Sequence, residues 1–311
     1  MFKEVLCLMG PTATGKTELA IKLASLLPIE IISVDSALVY KGMDIGTSKP
    51  SPQVLQEIPH HLINIKEVSE IYSAAEFRNN ALILIKNIQK AGKIPLLVGG
   101  TMLYFKALLH GLDNLPSSDP KVRSALQADL ELHGSNYLHE KLKQIDIKSA
   151  ERIHPNDPQR ILRALEVYQI TGKPLSEQFF LNQQKSLPFR AIQIALIPNC
   201  RQTLHKRIEQ RTKQMFEQGF LDEVRALHAR SDIHADLPSM KSVGYRQAML
   251  YLNGKISCTE LKESVIIATR QLAKRQLTWL RHWPELHYFD YAVKGLPQII
   301  LRSIDKIKST K

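Results

Sequence analysis

Gly10-Pro11-Thr12-Ala13-Thr14-Gly15-Lys16-Thr17 fits the pattern G-x-x-x-x-G-K-[ST], and its flanks place it where such a loop works. Val5 to Met9 on one side is a short apolar run; on the other, Leu19, Ala20, Leu23, Leu26 and Leu27 recur with helical spacing. A strand feeds the loop and an amphipathic helix leaves it. There the backbone N–H groups converge on phosphate oxygens, and the helix N-terminus adds the positive end of its dipole. Gly10, Thr12, Ala13, Thr14 and Gly15 form the expected cradle, Lys16 neutralises the terminal phosphate, and Thr17 is the expected ligand of Mg²⁺. The motif calls for a di- or triphosphate and leaves its identity open.

Outward from the loop, the pattern of strand and helix repeats. Ile29 to Val34 and Ile94 to Val98 are buried-strand candidates. Between them Ser73 and Glu76 form a capping box ahead of Phe77, Ala81, Leu84, Ile85 and Ile88, and Gly92 closes that helix. Strands alternating with helices predict an α/β fold, a P-loop NTPase-like parallel sheet with helices on both faces. After Gly111 the sequence turns polar and mostly helical from about Pro116 to Pro188, including a helix through Ile170 with Asp157 as N-cap and Pro158 at its first position. The expected organisation is a first core part (1–115), an inserted helical subdomain (116–188), and a core strand (Ala191 to Ile197) with basic helices (189–311) broken at Gly219, Pro238 and Gly254.

Composition narrows the function classes. Of 311 residues 44% are hydrophobic and 23% charged, which disfavours disordered and collagen-like chains. No apolar run reaches the ~18 residues of a bilayer span, and no signal-peptide pattern opens the chain, so a cytoplasmic protein without a membrane partner is expected. The three cysteines, Cys7, Cys200 and Cys258, are far apart and predict neither disulfides nor a zinc site. The net charge of +12 is uneven: residues 1–189 hold 21 Lys and Arg against 19 Asp and Glu, residues 190–311 hold 21 against 11. The C-terminal part looks built to meet a polyanion.

A nucleotide hydrolase pairs its phosphate loop with an Asp ending a later apolar strand. Here Ile94-Pro95-Leu96-Leu97-Val98 runs instead into Gly99-Gly100-Thr101, a hydroxyl in place of a carboxylate. Asp35 ends the second strand, at the carboxyl edge where open α/β sheets bind ligands.

These segments together resemble the bacterial tRNA dimethylallyltransferases, also called isopentenyl-tRNA transferases. The likeness rests on the phosphate loop, Asp35-Ser36-Ala37-Leu38-Val39-Tyr40, Asp44-Ile45-Gly46-Thr47-Ser48-Lys49-Pro50, Pro59-His60-His61-Leu62, Gly99-Gly100-Thr101, Asp157-Pro158-Gln159-Arg160 and Ser242-Val243-Gly244-Tyr245-Arg246-Gln247, in order over nearly the whole chain. Asn64 departs from the Asp expected there and is given no role. The resemblance implies transfer of a dimethylallyl group from dimethylallyl diphosphate to the exocyclic amine of an adenosine beside the anticodon of tRNA, by an enzyme working as a monomer. The leaving group is then pyrophosphate, and a hydrolase-type carboxylate becomes dispensable.

Asp35 is the candidate general base for the departing amine proton, its plainer roles being a helix N-cap or a magnesium ligand acting through water. Thr101 is expected to position the diphosphate oxygen and the amine, or to cap the helix beginning near Met102. Arg123 corresponds to an arginine that the family uses near the reacting groups. His60 and His61 point to opposite faces of any strand and suit structural or channel roles better than a metal; Asp44 suits a turn. The resemblance assigns tRNA contacts to Asp35, Ser36, Ala37 and Leu38, to Gln159, Arg160, Ile161, Leu162 and Arg163, and to Met240, Lys241, Ser242, Val243, Gly244 and Tyr245, the last offering a ring to stack on a base or a core side chain. On the helix Thr269 to Arg281, the residues Arg270, Lys274, Thr278 and Arg281 fall within about 80° of one another, while Leu272, Trp279 and Leu280 lie opposite and are expected to pack. Arg275 and Gln276 complete the expected RNA face.

Three other readings compete. A small-molecule kinase also places an Asp after its second strand, but has no use for a basic C-terminal part. Prenylation of free adenylate is argued against by the same extension. A non-catalytic RNA-binding module leaves Asp35 and the phosphate loop unexplained.

Overall fold

The computed structural model describes residues 4–111, 115–178 and 187–309. Its elements run β1 (Glu4–Met9), α1 (Lys16–Ala24), β2 (Ile29–Val34), α2 (Pro52–Glu57), β3 (His60–His61), α3 (Ala74–Lys90), β4 (Ile94–Gly99) and α4 (Met102–Leu109). Four helices follow, α5 (Pro120–Ile145), α6 (Ile147–Arg152), α7 (Pro158–Thr171) and α8 (Leu175–Gln178). The chain then continues through β5 (Arg190–Ile197), α9 (Arg201–Glu217), α10 (Phe220–His228), α11 (Tyr245–Leu252), α12 (Cys258–Arg281), β6 (His287–Asp290) and α13 (Leu296–Ser309).

All strand pairs are parallel, in the order β3-β2-β4-β1-β5-β6. Alternation along β1 shows why both faces need covering. Val5, Cys7 and Met9 enter one apolar cluster with Phe77, Ala81 and Ile85 of α3 and Phe105 of α4, while Leu6 and Leu8 enter a second with Leu19 and Leu23 of α1 and Ile300 of α13. The α/β architecture expected from the sequence is the one found. β3, β6 and α13 were not anticipated: strands of two and four residues are too short to show a period. His61 Nε2 lies 2.7 Å from Glu30 Oε2 and so ties β3 to β2, while His60 Nδ1 lies 2.7 Å from the Ile58 carbonyl oxygen just before the strand.

The chain divides into two units, Met1–Leu109 with Leu187–Lys311, and His110–Ser186. Pro116 and Pro188 are the visible breakers in the sequence, which is why its boundaries fall a few residues later. In the second unit Leu126, Leu138, Leu142, Ile161 and Leu162 form a separate core. Asp157 caps α7, its carboxylate accepting from Arg160 N–H at 3.2 Å, and Gly172 ends that helix in the left-handed region (φ 69°). Among the described residues no helix is long and apolar enough to cross a membrane.

One tie in the first unit escapes any reading of periodicity. Glu223 of α10 accepts from Asp44 and Ile45 N–H through Oε2 (2.8 and 2.7 Å), and from Gly46 N–H and the Tyr245 hydroxyl through Oε1 (3.2 and 2.5 Å). Gly46 has to be glycine: a Cβ there would stand 2.5 Å from the Phe220 ring and 2.6 Å from that of Tyr245. The Asp44-Ile45-Gly46 turn thus closes around a carboxylate. Glu223→Ala should destabilise the chain by about 1–3 kcal/mol, the cost of leaving such partners unmatched, read from urea unfolding.

Candidate active site

The loop after β1 is shaped by glycine where the backbone demands it. At Gly10 (φ 156°) a Cβ would lie 2.6 Å from the Leu196 carbonyl oxygen, and Gly15 (φ 81°) turns the chain into α1 in the left-handed region. Thr14 is buried, its hydroxyl donating to the Pro11 carbonyl at 2.9 Å, and Lys16 Nζ donates to the same carbonyl at 2.7 Å. Thr12, Ala13, Gly15, Lys16 and Thr17 line a cavity of about 1020 Å³; Gly10 and Thr14 shape the loop from behind it. Desolvation pulls the Lys16 ammonium down to about 7, with Asp35 raising and Arg211 lowering it.

Asp35 to Leu38 and Gly99 to Leu103 form further walls of this cavity. Asp35 Oδ1 accepts from Ala37 N–H at 2.8 Å and Leu38 N–H at 3.4 Å, which caps a turn; the next helix begins only at Pro52, so Asp35 is not a helix N-cap. The turn uses one carboxylate oxygen; Oδ2 accepts no hydrogen bond among the described residues. Thr101 Oγ1 accepts from Ser36 N–H at 3.0 Å and donates to Ser36 Oγ at 3.4 Å, tying the loop after β4 to the loop after β2. No side-chain cap of α4 by Thr101 is found among the described residues. Asn64, given no role from the sequence, accepts from Lys49 Nζ at 2.6 Å, and Asp44 accepts from the same ammonium at 2.5 Å.

The structure spreads the expected RNA residues over different surroundings. Gln159 and Arg160 are exposed, but Ile161 and Leu162 belong to the core of the helical unit. Within that unit Arg163 Nη1 donates to Glu166 Oε2 at 2.8 Å and Arg123 Nη1 to the same oxygen at 3.5 Å. Burial pushes the Glu166 carboxyl up, yet hydrogen bonds from Ser118 and Arg163 and the nearby positive charges outweigh it and hold it below its ordinary value. Arg123 and Arg163 are thus engaged in neutralising a carboxylate that is 0% exposed. Lys241, Ser242, Val243 and Gly244 line the cavity, whereas Met240 and Tyr245 are fully buried. Tyr245 is the core alternative: its ring packs on Phe220 and its hydroxyl is pushed up by burial and by Glu223, so no face is free to stack on a base.

Two expectations for α12 are corrected. Gln276 is buried and hydrogen-bonded inside the protein, and Trp279 is 38% exposed on the cavity wall, not packed in the core as Leu280 is. A helical wheel divides a helix into two faces; α12 has three. Leu261, Val265, Ala273 and Leu280 are buried, Thr269, Leu272, Arg275 and Trp279 line the cavity, and Arg270, Lys274, Thr278 and Arg281 line a separate groove of about 320 Å³ with Arg201 and His205. Arg270 is partly committed there, as its guanidinium bonds Glu209.

The sequence reading missed Arg211. Its Nη1 donates to Thr12 Oγ1 at 3.0 Å and its Nη2 to the Thr47 carbonyl at 3.2 Å; burial lowers its pKa while Asp35 raises it. Arg207, one turn earlier, also lines the cavity. The signal was present: Leu204, Ile208, Thr212 and Met215 are the buried stripe of α9, and Arg207 and Arg211 each sit one residue before a member of it.

Lys16, Arg207 and Arg211 thus line one cavity, and among the described residues its only lining carboxylates are Asp35 and Glu18, an arrangement suited to a polyanionic group. A diphosphate bound beside Lys16 would supply a counter-charge and lift its pKa. Binding pyrophosphate at pH 8 should then take up close to one more proton in the wild type than in Lys16→Met, measured by calorimetry in buffers of different ionisation enthalpy. The sign for stability follows: with the folded pKa below the unfolded one, Lys16 costs the free protein stability below about 7, and the cost fades as pH rises from there toward the ordinary lysine value of 10.5.

Known proteins resemble the chain in sequence and fold. The full-length tRNA isopentenylpyrophosphate transferase of Bacillus halodurans is 36% identical, with 98% of this chain and 97% of that one covered and a TM-score of 0.71. The tRNA delta(2)-isopentenylpyrophosphate transferase of Staphylococcus epidermidis is 35% identical over 97% of this chain and 99% of that one, with a TM-score of 0.69. A eukaryotic dimethylallyltransferase acting on tRNA, 28% identical, superposes with a TM-score of 0.81 over 99% of this chain and 80% of its own. Residues 38–283 match the IPP transferase family, and with the phosphate loop, Asp35 and Thr101 gathered on one cavity, the chain belongs to that family of enzymes.

Proposed function

We propose that this enzyme transfers a dimethylallyl group from dimethylallyl diphosphate to the exocyclic N6 amine of the adenosine 3′-adjacent to the anticodon in tRNA, releasing diphosphate. The observation that carries the reading is Asp35, whose one uncapped carboxylate oxygen belongs to the same cavity as the phosphate loop. The amine's C–N bond forms at the allylic carbon as the C–O bond to diphosphate breaks, and Asp35 accepts the amine proton. Lys16, Arg211 and the loop amides hold the charge that gathers on the leaving diphosphate. Thr101, held by Ser36, orients the diphosphate oxygen and the amine.

Mg²⁺ fits this site. Thr17 presents a hydroxyl to the cavity at the start of α1, and no cluster of three His, Cys, Asp or Glu forms a cage among the described residues. That donor set suits an ion held largely by diphosphate oxygens and water. Thr17 would hold it, and when bound it neutralises part of the diphosphate charge.

A kinase reading meets the same cavity but leaves the cationic groove of α9 and α12 without a purpose. Labelled dimethylallyl diphosphate, incubated with tRNA or with AMP, separates the prenylation readings. Label is expected in tRNA alone; label in AMP, or in neither, overturns the proposal. Asp35→Asn should bind both substrates and transfer at least ~100-fold more slowly in a single turnover, the lower end of general-base contributions.

The exposed residues Lys274 and Arg281 are the expected phosphate contacts, since neither has a carboxylate partner among the described residues as Arg270 does. Each such contact contributes about 0.7–0.9 to the slope of log affinity against log salt. Replacing both by Gln should flatten that slope by up to about two and leave pyrophosphate binding unchanged. An unaltered slope would place the RNA elsewhere.

A further inference from the structure

α12 reaches into the cavity wall with one buried amide side chain. Gln276 Oε1 accepts from Thr12 N–H at 2.9 Å, and Nε2 donates to the Gly100 carbonyl at 2.9 Å. Thr12 lies in the loop after β1 and Gly100 in the loop after β4, and these strands are neighbours in the sheet. A single side chain therefore spans the two loops that carry Lys16 and Thr101. Glycine makes room for it: a Cβ on Gly100 would stand 2.4 Å from Nε2, while the nearest atom outside Gln276 is the Gly10 carbonyl oxygen at 3.3 Å. Thr12 is gripped from its side chain as well, by Arg211.

We propose that Gln276 is a positioning residue for the diphosphate: it fixes the phosphate loop against the Gly99 to Thr101 loop, so that the seat of the leaving group is set by α12, the helix that also carries Lys274 and Arg281. This replaces the RNA contact expected of Gln276 from the sequence. The inference rests on the reading that the loop holds the prenyl diphosphate, which Lys16→Ala tests separately.

Pyrophosphate with Mg²⁺ is titrated into the wild type, Lys16→Ala, Gln276→Ala, Gly100→Ala and the Gly100→Ala, Gln276→Ala pair, with tRNA affinity measured at one fixed salt concentration. Gln276→Ala should weaken pyrophosphate binding about three- to ten-fold, the scale of one neutral hydrogen bond, with tRNA affinity at the wild-type level. Gly100→Ala should weaken it too, but add nothing once Gln276 is alanine, because the atom it strikes is gone. Weakened tRNA binding with pyrophosphate affinity intact, or additive losses in the pair, would overturn the proposal. Loss in Lys16→Ala with none in Gln276→Ala refutes the staple alone; no loss in Lys16→Ala refutes the diphosphate reading itself. Where Gln276→Ala does not fold, Gly100→Ala carries the test, and unchanged pyrophosphate affinity in it overturns the staple.

Discussion

Close approach of two backbones governs this site. At Gly99 a Cβ would lie 1.9 Å from the Val34 carbonyl oxygen, and the same carbonyl accepts from Thr101 N–H at 3.2 Å. Only a residue without a side chain lets the ends of β2 and β4 press together in this way. The residue after Val34 is the carboxylate and the second residue after Gly99 is the hydroxyl. Their adjacency is thus a consequence of main-chain packing, secured before any side chain takes part. The P-loop of β1 then lies beside β4 by the sheet order, which completes the three-sided arrangement.

The electrostatics follow from that geometry. Lys16 and Arg211 are both desolvated, which disfavours their charge, and Asp35 acts on both in the opposite sense. An arrangement with more positive than negative charge in a poorly solvated place is costly to the free protein and favourable to a diphosphate. On the proposed reading a diphosphate would supply the missing negative charge, and would do so most strongly as charge grows on the leaving group.

Much of this was legible in the sequence. The phosphate loop, the capping box at Ser73 and Glu76, the cap at Asp157 and the strands leading to Asp35 and Thr101 are all local signals, set by residues close in sequence. What escaped was nonlocal. Arg211 is separated from Thr12 by 199 positions, Glu223 from Asp44 by 179 and Gln276 from Thr12 by 264, and no spacing rule links such pairs. The sequence assigns Gln276 to RNA, and leaves Tyr245 between RNA and the core, for a related reason: a motif marks a residue as needed without saying whether it is needed against RNA or against the protein itself.

The strand order has a further consequence at the rims of the sheet. Its outermost members are β3, with two residues, and β6, with four, while the long strands β1, β2, β4 and β5 lie between them. A border that short offers few unpaired main-chain groups to a foreign strand, and the histidine-to-glutamate tie holds β3 to β2. A parallel sheet, whose distant strands come together late in folding, gains from borders on which other chains cannot extend it. The least conspicuous strands of the fold thereby leave little edge for another chain to extend.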